Sequence, residues 1–197
     1  MKEYTIIRRK ENWDCVPILK IESYLQPSES PVTAQAQICY DDEALYVRLA
    51  AKEEHIRAEH HGPLGEICED SCLEFFFSPM AGDLRYFNIE CNPNGVLYLG
   101  MGTNVHTLVR FVPEEPSIRP HTYRTDDGWV AEYAIPYSFI RLFFPDFSPA
   151  PGYAMRANCY KCGDLTQIPH CLCWNPVPVL PCASFHNPEA FGLMRFA

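Results

Sequence analysis

No run in this chain approaches the roughly 18 consecutive apolar residues that a membrane-spanning helix needs, and the N-terminus, MKEYTIIRRKENW, lacks the apolar stretch of a signal peptide. The first absence excludes a helical membrane protein, and the second predicts a cytoplasmic chain. Positive charge is also scarce. Sixteen Lys and Arg stand against 25 Asp and Glu, a formal net charge of −9, which speaks against the basic patch that a nucleic-acid partner requires. There is no internal repeat, no low-complexity tract and no helical pattern long enough to anchor an α/β fold. No Walker loop, Ser-His-Asp arrangement or G-x-G-x-x-G occurs. Gly100-Met101-Gly102 has neither the spacing nor the strand–helix context of a nucleotide fingerprint.

What is present fits one domain spanning residues 1–197. A chain of this length buries roughly 70% of its unfolded surface and can build a full core without staples. Eighteen prolines remove ladder donors and break helix interiors, so they favour short strands joined by ordered loops. The ten cysteines could pair in a secreted protein; in a chain without a leader they are expected as reduced thiols packed like small hydrophobes.

Alternation and turn residues mark the elements. Residues 34–51 read as a hairpin turning at Asp41-Asp42-Glu43, and 122–136 as a second, turning at Asp126-Asp127-Gly128. CLEFFFSP (72–79), YFNIECN (86–92) and VLYLGMG (96–102) read as successive strands, the last two joined by Pro93-Asn94-Gly95. Residues 137–147 suit a short helix or 3₁₀ turn, 153–162 another strand, and FGLMRF the final one. CLCW (171–174) leads into a proline-rich loop, while 52–69 reads as a loop and 113–120 as a loop or an edge. The pattern predicts an all-β chain with little helix, folded as an antiparallel sandwich.

Period two also sorts the faces. Leu73, Phe75 and Phe77 oppose Cys72, Glu74 and Phe76; Phe87, Ile89 and Cys91 oppose Tyr86, Asn88, Glu90 and Asn92; Met155, Ala157 and Cys159 oppose Arg156, Asn158 and Tyr160. Three strands thus carry carboxylate, amide or guanidinium groups on one face. Such groups suit the paired hydroxyls of a sugar. They also occur on plain solvated faces of antiparallel sheets.

Five segments in order, YDDEALYV (40–47), EDSCLEFFFSP (69–79), YFNIECNPNG (86–95), RTDDGWVAEYAIP (124–136) and SFHNPEAFG (184–192), resemble the family 9 carbohydrate-binding modules, from about residue 12 to the C-terminus. The resemblance implies a jelly-roll-like β-sandwich that binds oligo- or polysaccharides without catalysis and needs no cofactor. Members are often attached to glycoside hydrolases, which implies a role in carbohydrate catabolism, and can carry structural calcium. The family's sugar-binding positions fall on Glu74, Asn88, Glu90 and Arg156, with Asn158 on the same stripe. Its two stacking aromatics fall on Cys68 and Phe185, so one platform is lost and the other is Phe. Trp174 matches a family tryptophan expected to be structural.

Three rival chemistries are open to the same residues. Glu74 and Glu90 could serve a glycoside hydrolase, which needs two carboxylates flanking a bond. Cys159-x-x-Cys162 with His170, Cys171 and Cys173 suggests zinc, although residues three apart on a strand face opposite sides. Met101 and His106 could ligate haem, as in other sandwiches of the wider superfamily. Asp41 with Asp42, and Asp126 with Asp127, could offer oxygens to calcium; in tight turns such residues more often cap their own backbone. His55, His60, His61, His106, His121 and His186 are expected at the surface.

Overall fold

Hydrophobic alternation sets the architecture of the computed structural model, which describes residues 1–114, 116–178 and 184–197. Strands β1 (Glu3–Arg8), β2 (Leu19–Ile21), β3 (Ser23–Tyr24), β4 (Thr33–Tyr40) and β5 (Ala44–Lys52) come first. They are followed by β6 (Cys72–Ser78), β7 (Tyr86–Cys91), β8 (Leu97–Gly102), β9 (Val109–Phe111), β10 (His121–Thr125) and β11 (Gly128–Pro136). A single helical turn, α1 (Tyr137–Arg141), precedes β12 (Ala154–Gly163), β13 (His170–Cys173) and β14 (Gly192–Phe196).

The strands form a curled sheet running β10-β11-β5-β4-β1-β14-β12-β6-β7-β8-β9. β1 joins its two halves: residues Glu3–Ile6 pair with β14, and Ile7 and Arg8 pair with the end of β4. One strand shared in this way covers an edge in each half. Both of its pairings are parallel, whereas every other pairing among the described strands is antiparallel. The predicted antiparallel sandwich therefore holds except at the strand that links its layers.

The core lies between the halves. Phe75, Phe77, Phe87 and Ile89 of β6 and β7 meet Ile38, Val47 and Leu49 of β4 and β5 together with Trp129 of β11. Burial of each such side chain stabilises the fold by roughly 1.5–3 kcal/mol. Both long hairpins form, and Gly95 in the β7–β8 turn has φ +77°, a conformation that L side chains rarely adopt. Trp174 is buried against Tyr4, and a Cβ at Gly192 would fall 2.5 Å from its ring, so that strand passes over bare backbone.

The short strands β2, β3 and β9 carry no long alternating run and are set by pairing. The proline-rich loop read after Trp174 lies partly outside the described residues, which omit 179–183.

Candidate functional site

Because alternate residues share a face, register builds rows across β13, β12, β6, β7, β8 and β9. Tyr160, Glu74, Glu90 and Tyr98 stand opposite one another in one row. Asn158, Phe76, Asn88, Gly100 and Arg110 form the next, and Cys171, Cys162 and Cys72 a third. These rows lie on the face turned away from the main core. The face is not a plain solvated surface, since Glu74, Asn88 and Asn158 are all no more than 2% exposed.

Two loops close over it and leave a cleft of about 400 Å³ lined by Cys68, Glu74, Asn88, Glu90, Tyr98 and Phe185 among others. The 52–69 loop is held by buried Asp70, which accepts hydrogen bonds from the Glu59 and His60 backbone N–H groups (2.9 and 3.0 Å) and from Asn92 Nδ2 (2.9 Å). The Asp164 N–H donates to the Cys68 carbonyl at 3.0 Å, tying this loop to the β12–β13 turn. On the other side, Phe185 stacks on Tyr160, ring centroids 4.0 Å apart and planes at 18°, and the Tyr160 hydroxyl donates to its carbonyl.

Charge in the cleft is lopsided. Burial pushes the Glu90 carboxyl up to about 7, against the pull of the adjacent Asn88 amide and the Arg110 guanidinium. Burial, and then Glu90 beside it, raise Glu74 well above the ordinary carboxylate range. Burial also lifts Cys68 and takes Cys171 up to about 12. Arg110 lies over the Tyr98 ring, 4.1 Å from its centroid, and donates to the Gly65 carbonyl. The Asn88 side chain is buried close to the Glu90 carboxyl, and neither its Nδ2 nor its Oδ1 has a partner in hydrogen-bonding geometry.

The structure thus brings Glu74, Asn88, Glu90 and Phe185 together and leaves Arg156 and Asn158 out. Arg156 is exposed and donates to the Glu189 carbonyl, because its alternation position lies beyond the row that the cleft spans. Asn158 is on the correct face but spends its amide on the chain: Nδ2 donates to the Asn175 carbonyl (2.9 Å), and Oδ1 accepts from the Asn175 and Cys159 N–H groups. Sequence reasoning missed Tyr98 as a lining residue, although its place opposite Glu90 follows from the hairpin register. It also read His186 as a surface residue, whereas its ring packs 5.3 Å from Phe76 and lines the cleft.

The rival constellations separate. Cys159 packs into the main core while Cys162 faces the cleft, and His170 turns to Lys161 and Glu53. Met101 packs against the main core and His106 is exposed on the loop after β8, so the two do not form a pair of axial ligands. Asp41 accepts from the Glu43 and Ala44 N–H groups and from the Tyr46 hydroxyl, Asp42 binds Arg8, and Asp127 binds Lys52. The nine described cysteines are all free thiols. A larger cleft of about 530 Å³ lies beside β4, β5 and β11, but its Arg48 and Lys52 are already paired with Glu132 and Asp127.

Residues 9–196 match the profile of Carbohydrate-binding family 9. A candidate carbohydrate-binding protein from Bacteroides uniformis superposes with a TM-score of 0.83 at 25% identity, over 100% of this chain and 99% of that one. A family 9 module from Caldicellulosiruptor kristjanssonii, solved with cellotriose, gives 0.70 at 13% identity over 99% and 93% of the two chains. The glucose complex of a family 9 module from that organism gives 0.69 at 13% over 100% and 96%. At 13% identity these likenesses establish the fold alone. A search among curated proteins finds no significant match.

Proposed function

The chain belongs to carbohydrate-binding family 9, and from that premise we propose that the cleft over β6, β7 and β8 binds an oligo- or polysaccharide as a non-catalytic step in carbohydrate catabolism. The observation that carries this reading is Asn88. A buried amide with both polar atoms unpaired costs about 1–3 kcal/mol per unsatisfied group, and a sugar hydroxyl entering the cleft would satisfy it. Glu74 and Glu90 beside it supply acceptors while ionised and a donor while protonated. Phe185 offers an aromatic plane for the C–H face of the ring, and Tyr98 offers a phenol opposite.

The relatives solved with cellotriose and glucose support saccharide as the ligand class. Cys68 takes the place of a stacking aromatic, so hydrogen bonds carry more of the recognition and a ligand other than cellulose fragments is expected. Glu74 and Glu90 stand side by side on the cleft floor rather than on facing walls, which favours binding over hydrolysis.

Calorimetry against glucose and cellotriose, followed by a glycan array, tests the reading. Binding of at least one saccharide is expected, weakened about tenfold or more in Asn88→Ala, the scale of one lost hydrogen bond to a buried polar group. No binding anywhere on the array would overturn it.

A further inference from the structure

The saccharide reading leaves the thiols of the cleft floor without a task. Cys162 in β12 stands directly opposite Cys72 in β6 on one side and Cys171 in β13 on the other, so three thiols cross adjacent strands on one face. One row away is Glu74, and the Cys162 thiol donates to its Oε1 at 2.7 Å. The two sulfurs of Cys72 and Cys162 and a Glu74 carboxylate oxygen all lie within 4.8 Å of one another.

We propose that Cys72, Cys162 and Glu74 form a zinc site in the floor of the cleft, with its fourth position facing the cleft. Zinc takes thiolate sulfur at about 2.3 Å and carboxylate oxygen at about 2.0–2.2 Å in a tetrahedron, which sets the sulfurs about 3.8 Å apart. That spacing falls inside the observed cluster and needs only side-chain adjustment. The donor set selects the metal: thiolates suit zinc, whereas calcium and magnesium take oxygen alone.

Electrostatics points the same way. Glu66, Glu90 and Asp164 line the cleft around Glu74, which makes no ion pair among the described residues. The neighbouring Lys161 ammonium is committed to the opposite face, where it meets Glu53 and His170. A divalent cation would supply the missing positive charge. Both thiols enter as S–H, so two protons leave to solvent as the two sulfur–zinc bonds form; a Glu74 carboxyl that enters as the acid releases a third as its oxygen binds, and no oxidant or reductant is needed. Three protein ligands and one open position also describe a zinc that could receive water or a sugar hydroxyl.

This inference does not rest on the saccharide reading, and its test contains no sugar. The reduced, chelator-treated chain is mixed with equimolar zinc and weighed intact under native conditions; a parallel sample receives cobalt(II). The expected result is one metal per chain and a thiolate-to-cobalt charge-transfer band. Cys162→Ser and Cys72→Ser should weaken binding by more than the roughly 10–100-fold that changes outside the ligand shell cost. The exposed Cys15→Ser should leave it unchanged. A wild-type chain that holds no zinc at micromolar concentration overturns the site, as does metal bound undiminished by the Cys72→Ser/Cys162→Ser double variant. Should the variants fail to fold, the wild-type spectrum decides alone: metal bound without a thiolate band overturns it.

Discussion

Tyr86 Oη and His186 Nδ1 lie 2.8 Å apart, so one hydrogen bond ties the floor strand β7 to the segment that carries Phe185. The imidazole also packs against the rings of Phe76 and Tyr86. Its position makes this wall of the cleft sensitive to acid.

Burial holds the His186 pKa down to about 4, below the ordinary value near 6.5. A base whose folded pKa is depressed contributes stability that is complete above the unfolded pKa and lost as pH falls through the folded one. The window here runs from about 6.5 down to about 4, and its full depth is roughly 3 kcal/mol. Urea unfolding at pH 7 and at pH 4 should show wild type losing more stability than His186→Gln by a part of that amount. Equal losses in the two proteins would remove the assignment.

Asn158 and Arg156 separate a structural amide from an idle cation. Asn158→Ala would leave the buried Asn175 N–H and carbonyl unpaired, so a loss of about 2–4 kcal/mol is expected in chemical denaturation. Arg156→Ala, at an exposed position, should fall within about 0.5 kcal/mol of wild type. Neither change should weaken saccharide binding by the folded protein. A tenfold loss of affinity in Arg156→Ala would return that residue to the binding surface.

Beneath the cleft floor, Lys161 Nζ is fully buried, 3.3 Å from Glu53 and 2.8 Å from His170 Nε2. Removing one member of such a pair strands the other charge, so Lys161→Met should cost about 3–5 kcal/mol. Adding Glu53→Gln should restore part of the loss, because the stranded carboxylate is then gone. A double variant whose loss equals the sum of the two single losses would mean that the pair does not act as a unit.

Much of this arrangement could be read from the chain. Alternation in CLEFFFSP and YFNIECN assigns Glu74, Asn88 and Glu90 to one face, and Asn94-Gly95 fixes the register that aligns β7 with β8. The resemblance to family 9 supplied Phe185, which periodicity could not, because it lies in a loop. The rest depended on distance in space. Arg156 and Asn158 share the face on paper, but only the fold shows that Asn175 occupies the Asn158 amide and that Arg156 falls beyond the cleft. Likewise Cys72 and Cys162 are separated by ninety residues of chain and become neighbours only through the β6–β12 register, while the nearer Cys159 turns to the other face. His186 is polar and sits in a loop; what buries it is the aromatic pair Phe76 and Tyr86.

Phe185 tests how far aromatic stacking still matters in a cleft where Cys68 replaces the second platform. One face of the ring is committed to Tyr160, and the residue still lines the cleft. Removing it should therefore act on two quantities at once. Stability falls by the stacking contribution of about 0.5–1.5 kcal/mol plus the apolar area lost. Affinity for the saccharide found by calorimetry should fall about tenfold, the equivalent of one aromatic contact. Phe185→Leu isolates the second effect, because it keeps apolar bulk against Tyr160 while removing the flat face. Retained stability with lost affinity would identify Phe185 as a platform for the sugar ring. Retained affinity would leave recognition to Asn88, Glu74 and Glu90 alone, with Phe185 serving only to close the wall.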